Sequence, residues 1–127
     1  MAMFLTSDPI DPTVAYSLID KSRSGSVVFH YAVVKEDTGS GNSTSCIDYR
    51  ANGDVNAELE AIGAELRDRW TLEDVLLIRR AGCLGVGEII SLVAASSPNS
   101  EDAFEACKYG ISRLKKMATI KKSELFR

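Results

Sequence analysis

The chain is 127 residues long, 45% hydrophobic and 26% charged, which gives it room for one ordinary core and not for two. A single histidine argues against a His-based metal site or a hydrolytic triad, and a net charge of −3 with few aromatic residues argues against a general nucleic-acid surface. No apolar run approaches the roughly 18 residues of a membrane span, and the opening "MAMFLTSDPIDP" lacks a basic-then-apolar signal pattern, so a cytoplasmic protein is expected.

In chain order, residues 11–22, "DPTVAYSLIDKS", open a helix. Asp11 suits the N-cap, Pro12 the first helical position, and Val14, Leu18 and Ile19 share a face. Residues 25–34, "GSVVFHYAVV", are rich in β-branched and aromatic side chains and read as a largely buried strand. A polar, glycine-containing loop over 35–45 follows, then a short strand, "CIDYRA". The clearest helix is "NAELEAIGAELRDRW", where Leu59, Ile62, Leu66 and Trp70 recur at spacings of three and four. "EDVLLIRR" reads as a strand, "AGCLGVGE" as a turn between strands and "IISLVAASS" as a further strand. Ser100, with Glu101 and Asp102 in the first turn, starts a helix whose Ala103, Cys107, Ile111 and Leu114 line one face. The predicted order is α-β-β-α-β-β-α, an α+β fold in a single domain over 1–127 with a mainly antiparallel sheet.

Charge is unevenly placed. Residues 112–127 hold six basic side chains against one acidic, a balance of +5, so the rest of the chain carries nine basic against seventeen acidic, or −8. If the last helix ran past Leu114, Lys115 and Lys122 would lie about two turns apart on nearly one face, while Lys116 and Lys121 would point elsewhere. Crowded, partly buried ammonium groups lower one another's pKa, and such a lysine transfers protons or stabilises developing negative charge. From these residues alone a solvated basic end is the simpler reading.

Other candidates carry less. Gly82, Gly85 and Gly87 lead into a strand and not a helix, which fits a hairpin and fails the dinucleotide pattern. His30 sits in an apolar strand with no second histidine and reads as structural. Cys46, Cys83 and Cys107 form no CxxC pair, so neither a disulfide framework nor a zinc site is suggested; Cys46 and Cys107 suit core positions, and Cys83 is a weak candidate for a reactive thiol. Arg79 and Arg80 are consecutive in a strand, so at most one faces any given pocket; surface charge and anion contact both stay open.

Taken together the segments resemble the large, catalytic subunit of molybdopterin synthase, from about Asp11 to Glu124. "GSVVFHYAVV" looks like that family's Gly-Ala-x-x-x-Phe-x-Gly-x-Val-Arg strand, and "IDYRANGDVNAELEAI" like its Tyr-Glu-Ala-Tyr segment and following helix. "IRRAGCLGVGE" is similar to Ile-His-Arg-x-Gly-x-Leu-x-x-Gly-Glu, and "DAFEACKYGISRLKKMATIKKSE" to the Ala-Phe-x-Ala helix, Leu-Lys pair and final Pro-x-Trp-Lys-Lys-Glu. The resemblance implies an α/β hammerhead fold and a homodimer of large subunits within a heterotetramer. Its small subunit is a ubiquitin-like sulfur carrier ending in a Gly-Gly thiocarboxylate. Sulfur passes to cyclic pyranopterin monophosphate, forming the molybdopterin dithiolene, with no metal or redox cofactor in this step.

Carried over by position, Lys122 and Lys115 match the family's two catalytic lysines, Glu124 the acidic residue that follows, and Arg80 the arginine of the His-Arg-x-Gly segment. Departures are several. The arginine closing the first strand falls on Val34 beside Lys35, the strand glycine on Tyr31, and the His-Arg pair before the last helix on Asn99 and Ser100. Arg79 stands for the other histidine, and Thr119 and Lys121 for the final Pro and Trp. Arg79, Lys116 and Lys121 are the cations available to compensate. The alternative is a non-catalytic relative that binds a ubiquitin-like carrier as a scaffold or regulatory module; a small anion- or nucleic-acid-binding domain is the remaining reading.

Overall fold

The apolar and β-branched runs of the sequence become the inner strands of a four-stranded sheet. The computed structural model describes residues 2–36 and 44–126, so the centre of the polar loop expected over 35–45 lies outside the described residues. In chain order the elements are β1 (Ala2–Thr6), α1 (Pro12–Leu18), β2 (Ser26–Val33), β3 (Thr44–Ala51), α2 (Val55–Arg69), β4 (Asp74–Arg80), β5 (Gly82–Leu84), β6 (Ile89–Ser97), α3 (Ser100–Lys115) and β7 (Ile120–Phe126). The larger sheet runs β1-β4-β6-β2 and the smaller one β5-β3-β7. Among the described residues only the β1–β4 pairing is parallel, so the α+β, mainly antiparallel expectation holds.

Strand alternation divides the core of the larger sheet in two. Val75 and Leu77 of β4, with Val93 of β6, face α2 and α3 and pack on Leu59, Ile62, Leu66, Cys107 and Leu114. Leu76, Ile78, Leu92 and Ala94 face the other way, against Ile10, Ala15 and Ile19 around α1. Each such leucine or isoleucine contributes about 1.5–3 kcal/mol by leaving water. Gly110 sets how closely α3 approaches: a Cβ there would lie 2.9 Å from Val93 Cγ1. A third cluster, Val34, Ile47, Tyr49, Leu84 and Ile90, joins the smaller sheet to the edge of the larger one.

Several expectations need correction. Helix α1 has its Asp11 cap, whose side chain accepts from the Thr13 amide at 2.9 Å, but it buries Ala15, with Ile19 buried as the residue that ends the helix; Val14 and Leu18 are about half exposed. Strand β2 lies at the sheet edge and is half-buried, not largely buried. Strand β1 was not anticipated, because five residues of mixed size carry no periodicity long enough to read. The expected turn over 81–88 does link the antiparallel pair β4 and β6, yet its first half forms β5 and pairs with β3. Cys46 and Cys83 are joined as a disulfide, contrary to the sequence reading. Pairing of Ile47 with Leu84 and Asp48 with Cys83 brings the two Cα atoms to 5.6 Å, a proximity that a separation of 37 residues conceals. Cys107 is free and buried in the core as expected, its thiol pushed up to about 12 by burial.

The largest correction concerns the C-terminal lysines. Helix α3 stops with Lys116 as its C-cap, and the chain reverses through 116–119 into β7. Glu58 of α2 fixes that reversal: its carboxylate accepts from the Ala118 and Thr119 amides, each at 3.0 Å, and from the Thr119 hydroxyl at 2.6 Å. Lys121 and Lys122 are therefore strand residues, not a continuation of the helix.

Candidate functional site

Where the smaller sheet meets the end of α3 and the edge strand β2, the fold leaves a cleft of about 790 Å³. Register decides which tail residues enter it. Lys122 lies opposite Tyr49 and Glu124 opposite Ile47, and both Tyr49 and Ile47 are buried toward the cleft. Residues directly opposite one another in paired strands share a face, so Lys122 and Glu124 point inward. Lys121 lies opposite Arg50 on the outer face, where both are exposed. Lys115, the last residue of α3, enters from the other side, at a helix C-terminus that favours a cation. Two lysines seven residues apart thus meet because a helix ends and a strand returns.

Arg79 forms part of the floor. Alternation along β4 puts it on the face of Val75 and Leu77, but one row beyond the helices, and its guanidinium stacks 4.6 Å from the centre of the Tyr49 ring. It is 8% exposed and its Nε has no hydrogen-bond partner. Burial pulls its pKa down and Tyr49 partly offsets this, from so high a starting value that it stays a cation at neutral pH. Burial raises the Tyr49 phenol; Glu124 adds to that and Arg79 opposes it. Arg80 faces away, as strand geometry requires, and pairs with Glu88 at 2.7 Å, while Glu88 also accepts from the Gly85 amide.

The cleft therefore brings together Lys115, Lys122, Glu124, Arg79 and Lys35 from the residues singled out in the sequence, and leaves out Arg80, Lys116 and Lys121. It also gathers His30, which the sequence reading took as structural, and Tyr49 and Ser91, which it did not single out. The signal for His30 was its place in β2: positions 28, 30, 32 and 34 alternate onto the side that packs on α3 and the third cluster. The His30 imidazole is held below its ordinary value by burial first and then by the Lys115 ammonium, so it is neutral at neutral pH. Among the described lining residues four cations (Lys35, Arg79, Lys115, Lys122) face two carboxylates (Glu36, Glu124), a local +2 on a chain of net −3. Such a cleft concentrates anions and can stabilise negative charge developing on a ligand. Among the described residues no group of three or more His, Cys, Asp or Glu side chains is placed to hold a metal ion, and no helix is long and apolar enough to cross a membrane.

Comparison with known proteins agrees with this fold. The family model described as MoaE protein matches residues 5–117. The molybdopterin synthase catalytic subunit of Bacillus subtilis (strain 168) is 30% identical over 123 residues, covering 96% of this chain and 78% of the relative. The crystal structure of molybdopterin synthase from Staphylococcus aureus superposes with a TM-score of 0.89 at 27% identity, covering 98% of this chain and 91% of that one. A complex of subunits 1 and 2 of molybdopterin-converting factor from Helicobacter pylori 26695 has a TM-score of 0.73 at 13% identity, a likeness of fold, covering 99% and 85%.

Proposed function

The chain belongs to the MoaE protein family, that of molybdopterin synthase catalytic subunits, and from that premise we propose that it transfers sulfur from a thiocarboxylated, ubiquitin-like small subunit to cyclic pyranopterin monophosphate. The observation that carries this reading is the β3–β7 register, which turns Lys122 into the cleft entered by Lys115 from α3. The substrate phosphate and the thiocarboxylate are both anions, and holding them together against their repulsion requires fixed positive charge. Lys122 is the principal group stabilising developing negative charge or passing a proton, and Lys115 assists it while gripping the anionic substrate. Arg79 and Lys35 add charge, and Glu124 orients the pocket. As the thiocarboxylate sulfur bonds to a pterin side-chain carbon, a C–O bond at that carbon breaks and its oxygen leaves protonated. Water then adds to the acyl carbon and the acyl C–S bond breaks, which leaves the sulfur on the pterin and a carboxylate on the carrier.

A small subunit as partner is supported by the two-subunit composition of the Helicobacter pylori complex, one chain of which shares this fold. By the same family reading the large subunit pairs with itself in a heterotetramer, in the cytoplasm. The test is sulfur transfer in vitro, with purified chain, thiocarboxylated small subunit and cyclic pyranopterin monophosphate, reading molybdopterin as its fluorescent oxidised derivative. Lys122→Ala is expected to lower the rate by roughly 10²–10³-fold, the loss typical of removing one charge-stabilising group. Product formation that survives Lys122→Ala unchanged would sink the assignment.

A second reading, a non-catalytic carrier-binding relative, is favoured by two positions. Val34 is buried and joined through its backbone to Gly87 and Glu88, and Asn99 is occupied as the N-cap of α3. Neither supplies the charge the family places there. Carrier binding without product from the wild-type chain selects this reading.

A further inference from the structure

We propose that Arg79 and Ser91 form a buried oxyanion subsite in the floor of the cleft, seating an anionic oxygen group of the ligand away from the two lysines. The proposal rests on the cleft being the substrate site and names what its floor recognises. Ala32, Ser91 and Arg79 form one row across β2, β6 and β4, with Ser91 directly opposite both neighbours. Residues so paired present their side chains on the same face, and all three line the cleft. Ala32 is small, so it leaves the floor beside Ser91 open. Arg79 is 8% exposed and Ser91 5%.

The argument turns on compensation. A buried guanidinium needs a counter-charge or a full set of hydrogen bonds, because burial has stripped its water. Arg80 has the counter-charge, Glu88 at 2.7 Å, although its Nε is also unpaired. Among the described residues Arg79 has no carboxylate within ion-pair distance, its Nε is unpaired, and the Tyr49 ring is stacked against it. A ring face attracts a cation but accepts no directed hydrogen bond at the guanidinium edge. That edge is a planar, two-point donor suited to phosphate or carboxylate oxygens, and the neighbouring Ser91 hydroxyl supplies a third donor. The missing partner of Arg79 is thus assigned to the ligand. Two parts of the proposed reaction carry the required oxygens: the phosphate of the pterin and the carboxylate left on the carrier tail.

The experiment is calorimetric titration of the full chain with inorganic phosphate, and in a second arm with a synthetic peptide ending in Gly-Gly. Arg79→Gln, Arg79→Lys and Ser91→Ala are compared with wild type. Phosphate affinity should fall roughly tenfold or more in Arg79→Gln, the size of a charge-assisted hydrogen bond, and about threefold in Ser91→Ala. Arg79→Lys keeps charge without the fork and should lie between wild type and Arg79→Gln. In phosphate-free buffer the melting temperature of Arg79→Gln should be unchanged or raised, because an uncompensated charge has gone. A lowered melting temperature with unchanged phosphate and peptide affinity would make Arg79 a structural stack on Tyr49 and overturn the proposal, as would a wild-type chain that binds neither probe. Dependence of the peptide alone on Arg79 keeps the subsite and assigns it to the carrier terminus. Arg79-dependent phosphate binding in a chain that makes no product keeps the subsite and defeats the sulfur-transfer reading instead.

Discussion

Leu77 and Arg79 lie two residues apart on the same face of β4, and both are buried, yet they belong to different regions. Leu77 sits under α2 and α3, where apolar side chains meet it from both helices. Arg79 sits one row on, where the helices have ended and the smaller sheet covers the strand only in part. The difference teaches how the fold divides its tasks. The packed region is built from groups that gain by leaving water, while the cleft region holds charges, one of which, Arg79, is buried with an unpaired Nε. The sharpest way to break the comparison is to find that the two sites respond alike. Leu77→Ala is expected to cost about 2–5 kcal/mol in urea unfolding, while activity per folded molecule is unchanged. A large activity loss in the folded variant would mean that the two regions are coupled through the strand.

The next effect in size tests what holds the cleft region together. Its smaller sheet has three strands, one of them only three residues long, and the Cys46–Cys83 disulfide ties that short strand to β3. Cross-linking residues 37 apart stabilises by roughly 2–4 kcal/mol in the loop-entropy account. Cys46→Ser with Cys83→Ser should lower the unfolding free energy by that order under oxidising conditions and by nothing under reducing ones. Equal stability of the double variant and the oxidised wild type would show that strand pairing alone supports β5.

Much of the packed region was legible from the sequence, for a physical reason. Leu59, Ile62 and Leu66 recur at helical spacing, and "VLLI" and "SLVAA" can be buried on both faces only in a sheet covered from both sides. The cleft was legible as a set of residues and not as a place. Lys115, Lys122 and Glu124 came from family resemblance; from the residues themselves the tail reads as a solvated basic end or, conditionally, a continued helix, and it forms β7 instead. The reversal that makes β7 depends on Glu58, some sixty residues earlier in the chain. His30 was read as structural because alternation along β2 gives its face but not the cleft on that face; Tyr49 and Ser91 escaped because each enters the cleft through cross-strand register, which no local pattern encodes. The disulfide escaped for the same reason.

Glu58 is where the two regions are joined, since it leaves α2 of the packed region to hold the first turn before β7. Burial raises its pKa, but the Thr119 hydroxyl, the Ala118 and Thr119 amides and the Arg113 charge together outweigh that, so the carboxyl is held below its ordinary value. A group with a depressed folded pKa stabilises above its unfolded pKa, and that contribution is lost as pH falls through the folded value. Glu58→Gln should therefore cost about 1–3 kcal/mol at neutral pH, and the gap to wild type should close as the solution is acidified below the ordinary glutamate range. A gap that is the same at pH 7 and pH 3 would remove the carboxylate charge from the explanation.

The smallest effect is the most discriminating, because it compares neighbours. Lys121 and Lys122 are adjacent, of the same residue type and both exposed, and they differ in which face of β7 they occupy. If positive charge near the cleft were all that mattered, Lys121→Ala and Lys122→Ala would slow sulfur transfer by similar factors, since a lysine just outside the rim still contributes to the field. If position is required, Lys121→Ala should change the rate by less than about twofold, and stability by less than about 0.5 kcal/mol, as for an ordinary surface substitution. Lys116, the exposed cap of α3 outside the cleft, should behave like Lys121 despite adjoining Lys115. Raising the salt concentration separates the two cases further: a diffuse field is screened within about 8–10 Å at physiological ionic strength, whereas a lysine in contact with the reacting anion is screened much less. A Lys121→Ala loss that approaches that of Lys122→Ala and shrinks with salt would replace the two-lysine site by a general basic rim.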